Sequence, residues 1–159
     1  DHYDPRTKTV NLSEGVYGSS SIAAIGVAAH ECGHAMQDAQ DYAPLRFRSA
    51  LVPVANFGAQ LSWPLIIIGL LLGGSSLVSL GILLFSLAVL FQLVTLPVEY
   101  NASHRAVALL DSIGVLQGQE VGQTRKVLNA AALTYVAAAA ASILQLFRLL
   151  ILFGNRRED

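Results

Sequence analysis

Leu65-Ile66-Ile67-Ile68-Gly69-Leu70-Leu71-Leu72-Gly73-Gly74-Ser75-Ser76-Leu77-Val78-Ser79-Leu80-Gly81-Ile82-Leu83-Leu84-Phe85 lies in the middle of a longer stretch, residues 49–98, that carries no charged side chain. Those 50 residues would extend roughly 75 Å as one helix, whereas the hydrocarbon of a bilayer is about 30 Å thick. Two spanning helices joined by a tight turn fit that length. Gly73-Gly74-Ser75-Ser76 supplies the turn and predicts spans at 51–72 and 77–98. Pro53, Asn56 and Pro64 interrupt the first, which membrane helices tolerate because neighbouring groups satisfy the freed carbonyls. A third apolar run from Val127 to Phe153, opening on alanine-rich residues 137–141, predicts a span at 128–153. Gln145 and Arg148 interrupt it, Arg148 close enough to one end to snorkel toward water.

The composition agrees. Of 159 residues, 53% are hydrophobic and only 13% charged, about half the charge of an ordinary soluble domain. So apolar a chain buries more surface than its ordering costs, which excludes disorder. One cysteine, Cys32, excludes a disulfide scaffold, and a net charge of −1 gives no basic footprint for nucleic acid. The sequence begins at Asp1 with no signal-peptide pattern, and is read as a piece whose upstream part holds another span.

Residues 1–21 are polar and turn-rich. Asp4-Pro5-Arg6 reads as a turn, and the alternation from Thr7 to Leu12 as one short strand. The run Gly18-Ser19-Ser20-Ser21 breaks structure and offers an N-cap to a helix over residues 22–40. That helix is apolar on every side in its first half, the mark of a buried element. Too few apolar residues precede His30 for it to cross a membrane.

The helix carries His30-Glu31-Cys32-Gly33-His34, an H-E-x-x-H motif. Residues four apart share a helix face, so both imidazoles can address one ion. Glu31 falls beside that ion, where it can take a proton from water that zinc has made acidic. Two core histidines making ordinary hydrogen bonds are the plain alternative. They leave the charge on Glu31 inside an apolar helix unexplained, and buried charge without a partner is expensive. Cys32 points away from the ligand face and reads as a small buried residue, and Gly33 as the site of a close approach by another backbone or by a substrate.

A catalytic zinc takes three protein ligands and keeps one position open. On the residues alone the third stays open among His2, Glu14, Glu99, His104, Asp111 and Glu120. Glu99 is the most suggestive, since it follows Leu96-Pro97-Val98 at the mouth of a predicted span and is read as opening a helix. A solvated interfacial Glu is the alternative. His104 and Arg105 on the next turn are candidates for stabilising a developing oxyanion, against a default surface role. Two crossings separate the histidines from Glu99, so all three return to one side. Seven of the ten basic residues (Arg6, Lys8, Arg46, Arg48, Arg105, Arg125, Lys126) lie on that side, and Arg156 and Arg157 on the other. The positive-inside rule then puts the metal site in the cytoplasm.

The blocks His2-Tyr3-Asp4-Pro5-Arg6, Val10-Asn11-Leu12-Ser13, Ala28 through Gln37 and Val98-Glu99-Tyr100-Asn101-Ala102-Ser103, with the basic tail, resemble the YugP-type neutral zinc metallopeptidases of bacteria. The likeness covers essentially the whole chain and implies a membrane helix ahead of it. The broader pattern is similar to gluzincins of the HtpX and CaaX-prenyl endopeptidase kind. There a second helix supplies Glu in an E-x-x-A-D context, which implies Glu99 as third ligand. This chain departs from it in having Ser103 where those enzymes hold Asp, so support for a ligand histidine would have to come from Ser103, from Asn101 or from elsewhere. The resemblance also implies that the strand at 7–12 is an edge that pairs with extended substrate.

The sequence therefore predicts a single, mainly α domain over residues 1–159: a zincin-like helix and a second-ligand helix on a transmembrane bundle, with one short edge strand. The expected activity is that of a multi-pass cell-membrane zinc endopeptidase acting on a peptide or membrane-protein substrate. Zn2+ is held by His30, His34 and Glu99, with Glu31 as general base. An oligomer is left open and nucleic acid is not expected. The alternative is a membrane scaffold or adaptor with a structural or vestigial zinc site. It needs a closed set of four ligands, and no fourth is evident. A transporter would need ionisable residues inside its spans, and residues 49–98 have none.

Overall fold

The computed structural model describes residues 1–154. In chain order these form β1 (His2–Asp4), β2 (Thr9–Asn11), α1 (Glu14–Tyr17), α2 (Ile22–Ala39), α3 (Ala43–Leu72), α4 (Ser75–Ser112) and α5 (Gln119–Phe153). Arg156 and Arg157, which entered the argument on sidedness, lie outside the described residues. The described residues divide into two compact units, one formed by Asp1–Arg46 and Leu96–Thr134, the other by Phe47–Thr95 and residues 135–154.

In the first unit β1 and β2 form an antiparallel hairpin in which Tyr3 faces Val10. The expected strand is thus real but shorter than 7–12, because Lys8 turns out of it with φ +56°. Its partner, His2–Asp4, is too short to show any alternation in sequence. The Asp4 carboxylate accepts from the Arg6 amide at 2.9 Å and closes the turn. Helix α2 begins where the serine run predicts, with Ser21 Oγ accepting from the Ala24 amide at 3.1 Å. Its inner face packs through Ala29 onto Ala106, Val107, Leu110, Leu116 and Leu128, which form the core of this unit. Cys32, expected to be a small buried residue, is exposed.

In the second unit Ile66, Val78, Ile82 and Leu149 make the core. Gly58 and Gly81 let α3 and α4 approach closely: a side chain at Gly58 would sit 2.7 Å from the Leu84 carbonyl oxygen. The turn falls at Gly73, whose φ of +69° suits glycine. The outer surface is apolar, with Leu71, Leu72, Leu144 and Ile151 all more than two-thirds exposed. Water does not favour so much exposed apolar surface, and lipid does. By length and composition three helices, α3, α4 and α5, are able to cross a membrane, among the described residues.

Each of the three contains its predicted span and extends beyond it. The largest departure from the sequence reading is at Leu96-Pro97-Val98. Pro97 does not interrupt α4, so Glu99 sits in mid-helix and opens nothing. A proline costs such a helix one backbone hydrogen bond, which long membrane helices absorb. Pro53 and Pro64 are likewise inside α3.

Candidate metal centre

Within the first unit α2 and α4 cross with almost no space between them. A Cβ at Gly33 would stand 2.9 Å from the carbonyl carbon of Ala102, closer than atoms allow, so only glycine permits the approach. The consequence is chemical. His30 and His34, one turn apart on α2, meet Glu99 of α4 across this contact.

The two rings stand edge to face with centroids 4.7 Å apart. His30 Nε2 lies 2.9 Å from one Glu99 oxygen and His34 Nε2 lies 3.3 Å from the other. Both His34 and Glu99 are buried, at 8% and 3% exposure. Ligand atoms from all three residues fall within 4.8 Å of one another, a spacing that suits a single ion.

The far sides of the rings are also held. Nδ1 of His30 is 2.9 Å from the Ser103 hydroxyl, and Nδ1 of His34 is 2.9 Å from Gln37 Oε1. The Gln37 amide is fixed in turn, because its nitrogen donates to the Val98 carbonyl at 2.9 Å and to Asn101 Oδ1 at 3.0 Å. Its oxygen can only accept, so His34 must carry a proton on Nδ1. In the neutral ring the Nε2 lone pair then points at a carboxylate oxygen. Two acceptors facing each other inside a protein repel unless a proton or a metal ion lies between them. The donor set, two imidazole nitrogens and a carboxylate, suits zinc and related divalent ions.

Glu31 is buried beside His30, and its carboxylate has no hydrogen bond or ion pair with another described residue. It is therefore uncommitted. Arg105 lies elsewhere: it donates to Asn101 Oδ1 at 2.7 Å, contacts Gln40, and stacks over the Tyr42 ring. His104 is exposed and faces α5. Of the other candidate ligands, His2 pairs with Asn11 on the hairpin, and Glu14, Asp111 and Glu120 are exposed away from the cluster.

Two features escaped the sequence reading. Gln37 stood there only as the last residue of one block of the resemblance, although its spacing of three from His34 places both on one face. Asp38, 3% exposed, receives the Tyr3 hydroxyl, Lys8 Nζ at 2.7 Å and Arg46 at 2.7 Å. That junction ties the hairpin to the helix one turn beyond His34.

A family model described as "Putative neutral zinc metallopeptidase" matches residues 1–154. A protein of Bacillus subtilis (strain 168) named "Putative membrane protease YugP" is 50% identical over 159 residues, which are 100% of this chain and 71% of that protein. No solved structure matches the chain significantly.

Proposed function

The chain belongs to the neutral zinc metallopeptidase family, and from that premise we propose that it is a membrane-bound zinc endopeptidase whose metal is held by His30, His34 and Glu99. The observation that carries this is the facing of two Nε2 atoms and one buried carboxylate within 4.8 Å. Zinc held there supplies a Lewis acid for the scissile carbonyl and makes water nucleophilic at neutral pH.

The protein's own residues do the rest. Glu31 is the general base: its free carboxylate takes the proton of the attacking water and returns it to the departing amine. Gln37 and Ser103 are positioning residues, holding Nδ1 of His34 and of His30 so that each Nε2 faces inward. Ser103 thus stands in for the Asp of the broader gluzincin pattern. The free edge of β2 is suited to pair with an extended peptide, and the Asp38 junction fixes that edge relative to α2.

The substrate is a peptide or the juxtamembrane part of a membrane protein, reached from the cytoplasmic side. The apolar α3, α4 and α5 anchor the chain in the cell membrane as a multi-pass protein.

Glu31→Gln tests the reading. The variant keeps its metal and loses at least a hundredfold of peptide hydrolysis, the scale of general-base catalysis. Hydrolysis at the wild-type rate would remove Glu31 from the mechanism. A scaffold with structural zinc predicts no hydrolysis from either protein.

A further inference from the structure

A cavity of about 270 Å³ opens between α4 and α5 within the first unit. Its floor is apolar and rigid: Val107 and Leu128, 7% and 3% exposed, both belong to the core cluster. Its polar lining comes from two helices, Tyr100, Ser103 and His104 from α4, Arg125 and Asn129 from α5. One wall is shared with the metal centre, because Ser103, which lines the cavity, also has its hydroxyl 2.9 Å from His30 Nδ1.

The charges in this unit are distributed unevenly. Lys8 and Arg46 are paired with Asp38, and Arg105 is held by Asn101 and Gln40. Arg125, His104 and Asn129 have neither an ion pair nor a side-chain hydrogen bond among the described residues, yet converge on one cavity. No carboxylate lines it. A guanidinium fork, an imidazole and a carboxamide over an apolar floor complement a carboxylate on a short aliphatic stem. The volume equals that of about nine waters, room for a side chain or a chain end and not for a folded partner.

We propose that this cavity is a specificity subsite for a carboxylate close to the scissile bond, with Arg125 as its anchor and Asn129 and His104 as further donors. The proposal rests on the endopeptidase reading for its placement in catalysis, but the binding it predicts is separable from activity. The carboxylate has two sources, an acidic side chain or the free C-terminus of a peptide.

The test uses full-length protein in detergent, with Glu31→Gln to prevent turnover, and fluorescein-labelled octapeptides followed by anisotropy. Three peptides suffice: one amidated with Glu in the middle, one amidated with Gln there, and the Gln peptide with a free C-terminal acid. One of the two acids binds about tenfold more tightly than the neutral peptide, the effect of one charge-assisted hydrogen bond at a half-open site. Which acid it is identifies the source. Adding Arg125→Gln removes the preference, and Lys126→Gln, next along the helix but outside the cavity, leaves it intact.

Equal binding of all three peptides, or a preference that survives Arg125→Gln, overturns the proposal. Wild-type hydrolysis of the same peptides is scored separately. Discrimination without hydrolysis keeps the subsite and refutes the peptidase reading, and hydrolysis without discrimination does the reverse.

Discussion

Gln37 accepts a hydrogen bond from His34 Nδ1 at 2.9 Å while itself being wholly buried. The pair defines which nitrogen of His34 is free. An amide whose own nitrogen is committed to Val98 and Asn101 cannot flip to offer a donor instead. Gln37→Met, similar in volume but without the acceptor, is expected to weaken zinc binding 10- to 100-fold, the usual cost of losing such a support. Competition with a chelator of known affinity measures this. Unchanged affinity would mean that packing alone orients the ring.

The close crossing at Gly33 makes a second, mechanical prediction. Gly33→Ala normally favours a helix by up to about 1 kcal/mol. Here the added methyl has nowhere to go, because the rigid Ala102 backbone occupies its place. The variant should lose about 1–3 kcal/mol in denaturant unfolding, as overpacked cores do, and lose zinc affinity as α2 and α4 separate. A gain in stability would show that the two helices can part freely.

The Asp38 junction predicts a response to acid. Lys8 first, and then the Tyr3 hydroxyl, hold the Asp38 carboxyl well below the usual carboxylate range, against the opposing effect of burial. A depressed native pKa stabilises the fold above the unfolded value of about 3.9, and that contribution is lost as pH falls below it. Asp38→Asn should therefore cost about 1–3 kcal/mol near neutrality and flatten the stability profile below about pH 4. An unaltered acid limb in the variant would remove Asp38 as its cause.

Tyr3 gives the alkaline counterpart. Its hydrogen bond to Asp38 comes first among the causes that push the phenol up to about 12 from 10.0. A raised pKa contributes stability in full below the unfolded value and loses it as pH rises through the native one, here from about 10 to 12. Tyr3→Phe should flatten that limb, which thermal unfolding across the range can read. The same loss in both proteins would assign the limb to other groups.

How much of this was legible in the sequence follows from range. The three long apolar helices, the Gly73 turn and the Ser21 cap are local signals of composition and punctuation, and each appears where it was read. Glu99 was reached by topology and by resemblance, since two crossings and 64 intervening residues hide its meeting with His34. Pro97 misled because a proline is a weak stop in a long apolar helix. Ser103 was named only as one of two stand-ins for a missing Asp. The choice of Ser103 for His30, with Asn101 turned to Gln37, depends on the rotation of α4 against α2. No periodicity records that rotation. Asp38 was invisible for a different reason, because its partners lie 35 and 30 residues away on a hairpin whose first strand has no pattern.

The central claim is that His30, His34 and Glu99 hold one zinc. Elemental analysis of detergent-purified protein, wild type beside Glu99→Ala, tests it most directly. About one zinc per chain in the wild type, and much less in a variant of equal helix content, is the result predicted by a three-ligand site. A folded wild type without metal, or equal zinc in both proteins, would contradict it.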